Sequence, residues 1–192
     1  MFNEKIFVQE APPSHPALSS LDSTLRTLMR RILVFDLYYL KEFKQDTFRS
    51  DFDELTFALS LILDVTRVLA EKDTLLTHIK SDALKMQKAF SKIKGRIGIM
   101  VPFERSIETF QRLFDSGIRR KLGVTSEDEV FVGTPDMFRG VEKDIVIVTQ
   151  LRNSVVEGLG QMDESEYVRL AMTRAKHFLW VVGSSATLHG QL

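Results

Sequence analysis

The sequence predicts an α/β fold, a parallel sheet sandwiched by helices. Short runs such as "RILVFDL", "GRIGIMVPF", "IVIV" and "HFLWVVG" are apolar almost throughout. They lack the in–out alternation of a sheet with one wet face, so both faces must be covered. Segments of helical apolar period lie between them, and such alternation of strand and helix is the mark of a parallel sheet wrapped by helices. Ligands of these sheets gather at the carboxyl ends of the strands, which points to the loops after Leu37, Val101, Val132, Leu151 and Val182.

Met1 to Ser20 holds three of the five prolines, in "APPSHP", and reads as an extended arm or linker. Residues 1–25 are assigned to that arm and 26–192 to the domain, with a short helix over Leu21 to Arg31. Arg31 to Leu37 is the first buried-strand candidate. "SDFDELTFALSLILDVTRVLAEKD" predicts a helix capped by Ser50 or Asp51, with acids in the first turn, where the helix dipole favours them. Phe52, Leu55, Leu59, Ile62 and Leu69 share one face. Thr74 to Lys94 predicts a lysine-rich helix, and "GRIGIMVPF" a strand. In "ERSIETFQRLFDSGIRRKL" the stripe Ile107, Phe110, Phe114, Ile118 predicts an amphipathic helix. Strands follow at Val130 to Val132 and Ile145 to Leu151. "DESEYVRLAMTRAK" reads as a helix capped by Asp163 or Ser165, with Val168, Met172 and Ala175 on its buried side. "HFLWVVG" is the last strand, and "SSATLHG" starts a short helix.

The chain has 192 residues, 44% hydrophobic and 27% charged, ordinary for a globular protein. Its 26 Lys and Arg balance 26 Asp and Glu, so any nucleic-acid surface has to be local. There is no cysteine, which excludes disulfides and cysteine-ligated zinc, and the four histidines are scattered, so no metal site is assigned. No apolar stretch approaches the roughly 20 residues of a membrane span. The charged start "MFNEKIFVQE" is unlike a signal peptide. The expected setting is intracellular, cytoplasm or nucleus, with no membrane partner.

One stretch poses a question. In "VGTPDMFRGVEKDIVIVTQLRN" (132–153) a polar loop with its own glycine separates two segments that both want burial. This stretch resembles the fifth conserved motif of superfamily 1 helicases of the up-frameshift branch, typically Val-Asp-x-Phe-Gln-Gly-x-Glu-x-Asp before an apolar strand. "VRLAMTRAKHFLWVVGSSATL" (Val168 to Leu188) resembles the sixth motif, Asn-Val-Ala-x-Thr-Arg-Ala. "IGIMVPFERS" resembles the fourth, whose strand usually ends Thr-Pro-Tyr. The three occur in the family's order. The match is specific over about Val130 to Gly183 and reaches back to Ile97; before that it rests on element order.

The resemblance implies the second, C-terminal RecA-like domain of a helicase motor, in which ATP lies between two RecA-like domains and a single strand of RNA or DNA crosses both. It implies that Arg174 is the arginine finger. Such a residue stabilises the charge of phosphoryl transfer and is worth roughly 10³ to 10⁵ in rate. Glu142 and Gly140, with Arg174, are implied to face the nucleotide. Thr134, Asp136, Pro102, Phe103 and Thr173 are implied on the nucleic-acid side, where hydroxyls and amides grip phosphates without reading sequence. A solvated helix charge at Arg174, a turn glycine beside a surface glutamate at Gly140 and Glu142, turn or capping roles for Thr134 and Asp136, and a core role for Phe103 are the plain alternatives. The opening question then has an answer: the loop is polar because it lies at the cleft.

Several positions depart from the family. Arg139 stands for the usual glutamine, Arg169 for asparagine and Ser106 for glutamine. The loop before the long helix, "FRSDFDE", is acidic where a second nucleotide-contacting base is expected, with Arg49 as its only base. No Gly-x-x-x-x-Gly-Lys-[Ser/Thr] occurs, so the phosphate loop that would hold ATP and Mg2+ has to come from a first RecA-like domain, in the same gene product or another chain. The chain alone is not expected to hydrolyse ATP. The alternative is a degenerate, non-catalytic module that binds nucleic acid or protein.

Overall fold

In the computed structural model, residues 5–7, 32–36, 47–119, 130–149 and 164–183 are described. Chain order is β1 (Lys5–Phe7), β2 (Ile32–Asp36), α1 (Thr47–Lys72), α2 (Asp82–Ile93), β3 (Ile97–Met100) and α3 (Glu104–Phe114). A π-helical turn (Asp115–Arg119), β4 (Phe131–Gly133), a 3-10 turn (Asp136–Phe138), β5 (Lys143–Thr149), α4 (Glu164–Arg174) and β6 (Ala175–Gly183) follow. The sheet order is β1-β2-β6-β5-β3-β4. The five strands from β2 to β6 are parallel, and β1 adds an antiparallel edge through Lys5↔Asp36 and Phe7↔Val34. That edge lies inside the segment read as an arm.

The purely apolar strands follow from the two layers they separate. Ile147 on β5 and Trp180 on β6 face α1, α2 and α3, joining Leu55, Ile62, Phe90 and Phe110. Val146 and Val148, one residue out of phase, face the other way, with Leu179, Phe138, Tyr167 and Ala171. A strand buried on both faces has no polar position to alternate. The expected stripe is buried but crosses two elements: Phe110 and Phe114 on α3 and Ile118 on the π-helical turn are buried, and Ile107 packs beside them.

Three helices differ from expectation. α1 begins at Thr47, so Ser50 and Asp51 are already helical and no acid stands in its first turn. The side chains of residues 47–53, Phe52 and Arg49 among them, lie outside the described residues. α2 begins only at Asp82, because the Ser81 hydroxyl accepts from the Leu84 amide as a cap, while the Asp73 carboxylate accepts from Leu75 and closes a turn after α1. α4 is rotated by about one residue, roughly 100°. Tyr167 and Ala171 are buried, whereas Met172 is 55% exposed. The Tyr167 hydroxyl donates to the Thr149 carbonyl at 3.2 Å, which draws this face of the helix inward. The side chain of Val168, the Asp163 cap and the "SSATLHG" helix lie outside the described residues.

Burial, followed by the nearby charge of Glu54, pushes the Tyr167 hydroxyl well above the usual tyrosine range. The unfolded tyrosine loses its proton near pH 10 and the folded one keeps it, so this contribution holds below pH ~10 and fades above it. Tyr167→Phe should cost about 1–2 kcal/mol at neutral pH in urea unfolding and flatten the alkaline fall in stability.

Candidate nucleotide and nucleic-acid edges

The site is built around the segment Thr134–Val141, which joins two parallel strands that both flank β3. It leaves β4 at the carboxyl edge of the sheet and must return to the amino edge before β5 starts. Phe138 makes the return possible. Its ring is fully buried over β3 and meets Phe131 edge-on at a centroid distance of 4.9 Å. It fits because β3 carries Gly98 there: a Cβ at that position would stand 3.0 Å from the Phe138 ring and 2.9 Å from Lys143 Cγ. The Phe138 amide donates to the carbonyls of Thr134 and Pro135, and the Val141 amide to that of Phe138. Gly140 turns the chain with φ +79° into open space. Gly140→Ala should therefore cost about 1–2 kcal/mol through backbone strain alone, measurable by urea unfolding.

The eight residues singled out from the sequence fall into two groups. The register Met100↔Gly133 sets Pro102 and Phe103 beside Thr134 and Asp136 at the carboxyl edge. Phe103 is half-buried against the core, with the Arg105 guanidinium 4.7 Å above its ring. Thr134 is half-buried, and exposed Asp136 accepts from Arg139 Nε at 3.0 Å. Nearby Ser106 is buried, its hydroxyl without a hydrogen-bond partner, so it faces the interior and not a groove.

The register Lys143↔Ala175 gathers Gly140, Glu142, Thr173 and Arg174 at the amino edge, roughly 20 Å away along β5. Thr173 is thus beside Arg174 and apart from the other four residues of the nucleic-acid set. Its hydroxyl donates to the Leu170 carbonyl at 2.9 Å and accepts from Arg174 Nε and Nη2, both at 3.3 Å. Arg174 ends α4, and β6 begins at the next residue, so no linker loosens it. Exposed Glu142 lies 3.9 Å from Lys176. Gly140, Glu142 and Arg174, the residues read from the sequence as nucleotide-facing, therefore lie at the opposite edge from the loops that the general rule for parallel sheets points to.

Charge divides along the same line. Lys94, Arg96, Lys143, Arg174 and Lys176 crowd the amino edge against Glu142 and Asp144, and Arg96 pairs with Asp144. Glu104, Asp136 and Glu166 mark the carboxyl edge, with Arg105 and Arg139. Helix direction contributes to this: Glu104 and Glu166 stand in the first turns of α3 and α4 at the carboxyl edge, where acids suit the dipole, and Lys94 and Arg174 stand at the ends of α2 and α4 at the amino edge, where bases do. The amino edge suits a polyphosphate. No group of three or more metal-ligating side chains occurs among the described residues. No helix among them is long and apolar enough to cross a membrane.

Sequence reasoning missed Lys176 and the ion pairs of Arg139, which join Asp136 to Glu166 on α4. In the sequence Arg139 stands out only as a departure from the family's glutamine. Its partners become visible only in three dimensions.

A family model described as an AAA domain, AAA_12, matches residues 65–186. The chain is 32% identical over 97 residues to the probable helicase MAGATAMA 3 of Arabidopsis thaliana, covering 50% of this chain and 11% of that protein. It is 29% identical over 94 residues to helicase sen1 of Schizosaccharomyces pombe, covering 49% and 5%. With the regulator of nonsense transcripts 1 of Dictyostelium discoideum it shares 28% over 99 residues, covering 50% and 7%. The matched part thus spans about a tenth or less of these relatives. By these matches the chain belongs to the AAA_12 family of AAA domains, among the up-frameshift-like helicases of superfamily 1.

Proposed function

We propose that this chain is the C-terminal RecA-like half of the motor of an ATP-dependent RNA (or DNA) helicase, working inside the cell in cytoplasm or nucleus. Residues 26–192 form the domain, and 1–25 an arm that lends Lys5–Phe7 to the sheet. The observation that carries this reading is the placement of Arg174. It stands at the junction of α4 and β6, on a cationic edge shared with Gly140 and Glu142.

ATP with Mg2+ binds only when a first RecA-like domain supplies the phosphate loop and the metal ligands, and the bound nucleotide brings the phosphoryl group to be transferred. Arg174 then reaches its phosphates as the arginine finger. Its guanidinium is held by Thr173 and by the direct helix-to-strand junction, so little conformational freedom is lost when the cleft closes. Glu142, beside Lys176, and the open backbone at Gly140 face the nucleotide. At the other edge the Thr134 hydroxyl and the turn held by Asp136 grip the strand's phosphates, with Pro102 and Phe103 beside them.

A second reading has its own support. Glu104, Asp136 and Glu166 make the carboxyl edge a poor phosphate track, which favours a non-catalytic binding module of the same fold. ATPase activity with and without single-stranded RNA separates the two. It is measured on this chain alone and on the chain joined to a first RecA-like domain. Silence alone with RNA-stimulated activity in combination is expected of the motor half; silence in both, with the chain folded, selects the binding module.

A further inference from the structure

We propose that Arg139 is a positioning residue that fastens the turn after β4 to the helix carrying Arg174. Its consequence for hydrolysis rests on the motor reading above; the fastening itself does not.

The guanidinium serves two carboxylates on two elements. Nε donates to Asp136 Oδ1 at 3.0 Å within the turn, and Nη2 donates to Glu166 Oε1 at 3.3 Å on α4. The backbone beneath it is fixed from both sides. The Arg139 amide donates to the Asp136 carbonyl, the neighbouring Phe138 is buried, and Gly140 makes the turn that follows. A glutamine, usual here in the family, is shorter and would offer one amide group and a carbonyl oxygen that repels both acids. Only a fork of donors spans the gap.

On the α4 side, Glu166 is next to Tyr167, whose hydroxyl bonds the Thr149 carbonyl inside the fold. The start of α4 is thus held at two points, one buried and one exposed. From Glu166 the helix runs about 12 Å to Arg174 and passes straight into β6. A displacement of the turn at Thr134–Asp136 is therefore passed to Arg174 through a rigid helix. The cluster of one base and two acids is net negative, so Asp136 acts by orienting Arg139 and not by touching a phosphate.

All three side chains are at least half exposed, which makes the bracket a weak contributor to global stability. That separates a positioning role from a structural one. In Arg139→Gln the melting temperature should stay within about 2 °C. Amide hydrogen exchange on the chain alone should speed roughly two- to fivefold in both Asp136–Val141 and Leu170–Arg174. In the chain joined to a first RecA-like domain, kcat should fall roughly 10-fold or more with the KM for ATP little changed. The swap Arg139→Glu with Glu166→Arg restores only the link to α4 and sets two acids together in the turn, so it should recover the exchange in Leu170–Arg174 and part of kcat but leave the turn loose. In Arg139→Gln, faster exchange confined to the turn, or none, overturns the fastening; unchanged kcat with faster exchange overturns its role in positioning Arg174. If the joined wild-type chain hydrolyses no ATP, the motor reading falls, and the exchange measurement still decides the fastening.

Discussion

Phe138→Ala is expected to destabilise the fold by about 3–5 kcal/mol, the cost of emptying a buried aromatic site. At this chain length that lowers the melting temperature by on the order of 10 °C. The cavity would open between Gly98 on β3, Phe131 on β4 and the α4 layer. Gly98 has no side chain to fill it. The backbone of Thr134–Val141 hangs on this ring, so the loss would not stay local: the carbonyls of Thr134 and Pro135 that accept from the Phe138 amide would lose their fixed partner position. Phe138→Leu keeps much of the volume and should lose under half as much. Urea unfolding of the three proteins measures this, and equal stability of Phe138→Ala and wild type would mean that the turn does not need its anchor.

Arg174→Ala is expected to lower ATP hydrolysis by roughly 10³-fold or more in the chain joined to a first RecA-like domain. Unfolding should change little. The side chain is half-exposed at a helix end, and its hydrogen bonds go to the adjacent Thr173. A base in the last turn of a helix contributes only about 0.3–1 kcal/mol through the dipole. Arg174→Lys keeps the charge but not the planar fork, and should recover only a small part of the rate. The discriminating result is in kcat at saturating ATP with the circular dichroism spectrum unchanged. Near-normal turnover in Arg174→Ala would remove the finger role.

Much of the fold is legible in the residues themselves. An apolar run such as Ile145–Val148 can be buried only on both faces, and the structure puts Val146 and Val148 against α4 and Ile147 against α1 and α3. The spacing of Phe110, Phe114 and Ile118 is that of one helix face, and all three are buried. Where reading failed, a longer-range contact decided. Met172 fits a helical stripe as well as Ala171 does, but α4 turns to the side where Tyr167 finds the Thr149 carbonyl. Lys5–Phe7 has nothing in its own sequence to mark it as an edge strand, and becomes one by pairing with Asp36 to Val34.

The candidate site divides in the same way. That Thr173 and Arg174 stand together at a helix end, and that Gly140 turns the chain, are local facts with short-range causes. Which edge of the sheet each residue reaches is not local. It depends on strand order and register, set by pairings across many tens of residues: Met100 with Gly133, and Lys143 with Ala175. The sequence by itself determined the elements, their alternation and the chemical type of each candidate residue, because these depend on neighbours within a few positions. Only the tertiary structure decided that Thr134 and Glu142, eight residues apart, stand at opposite edges, and that Arg139 links the turn to α4, because hydrogen-bonded register and ion pairing are made between distant parts of the chain.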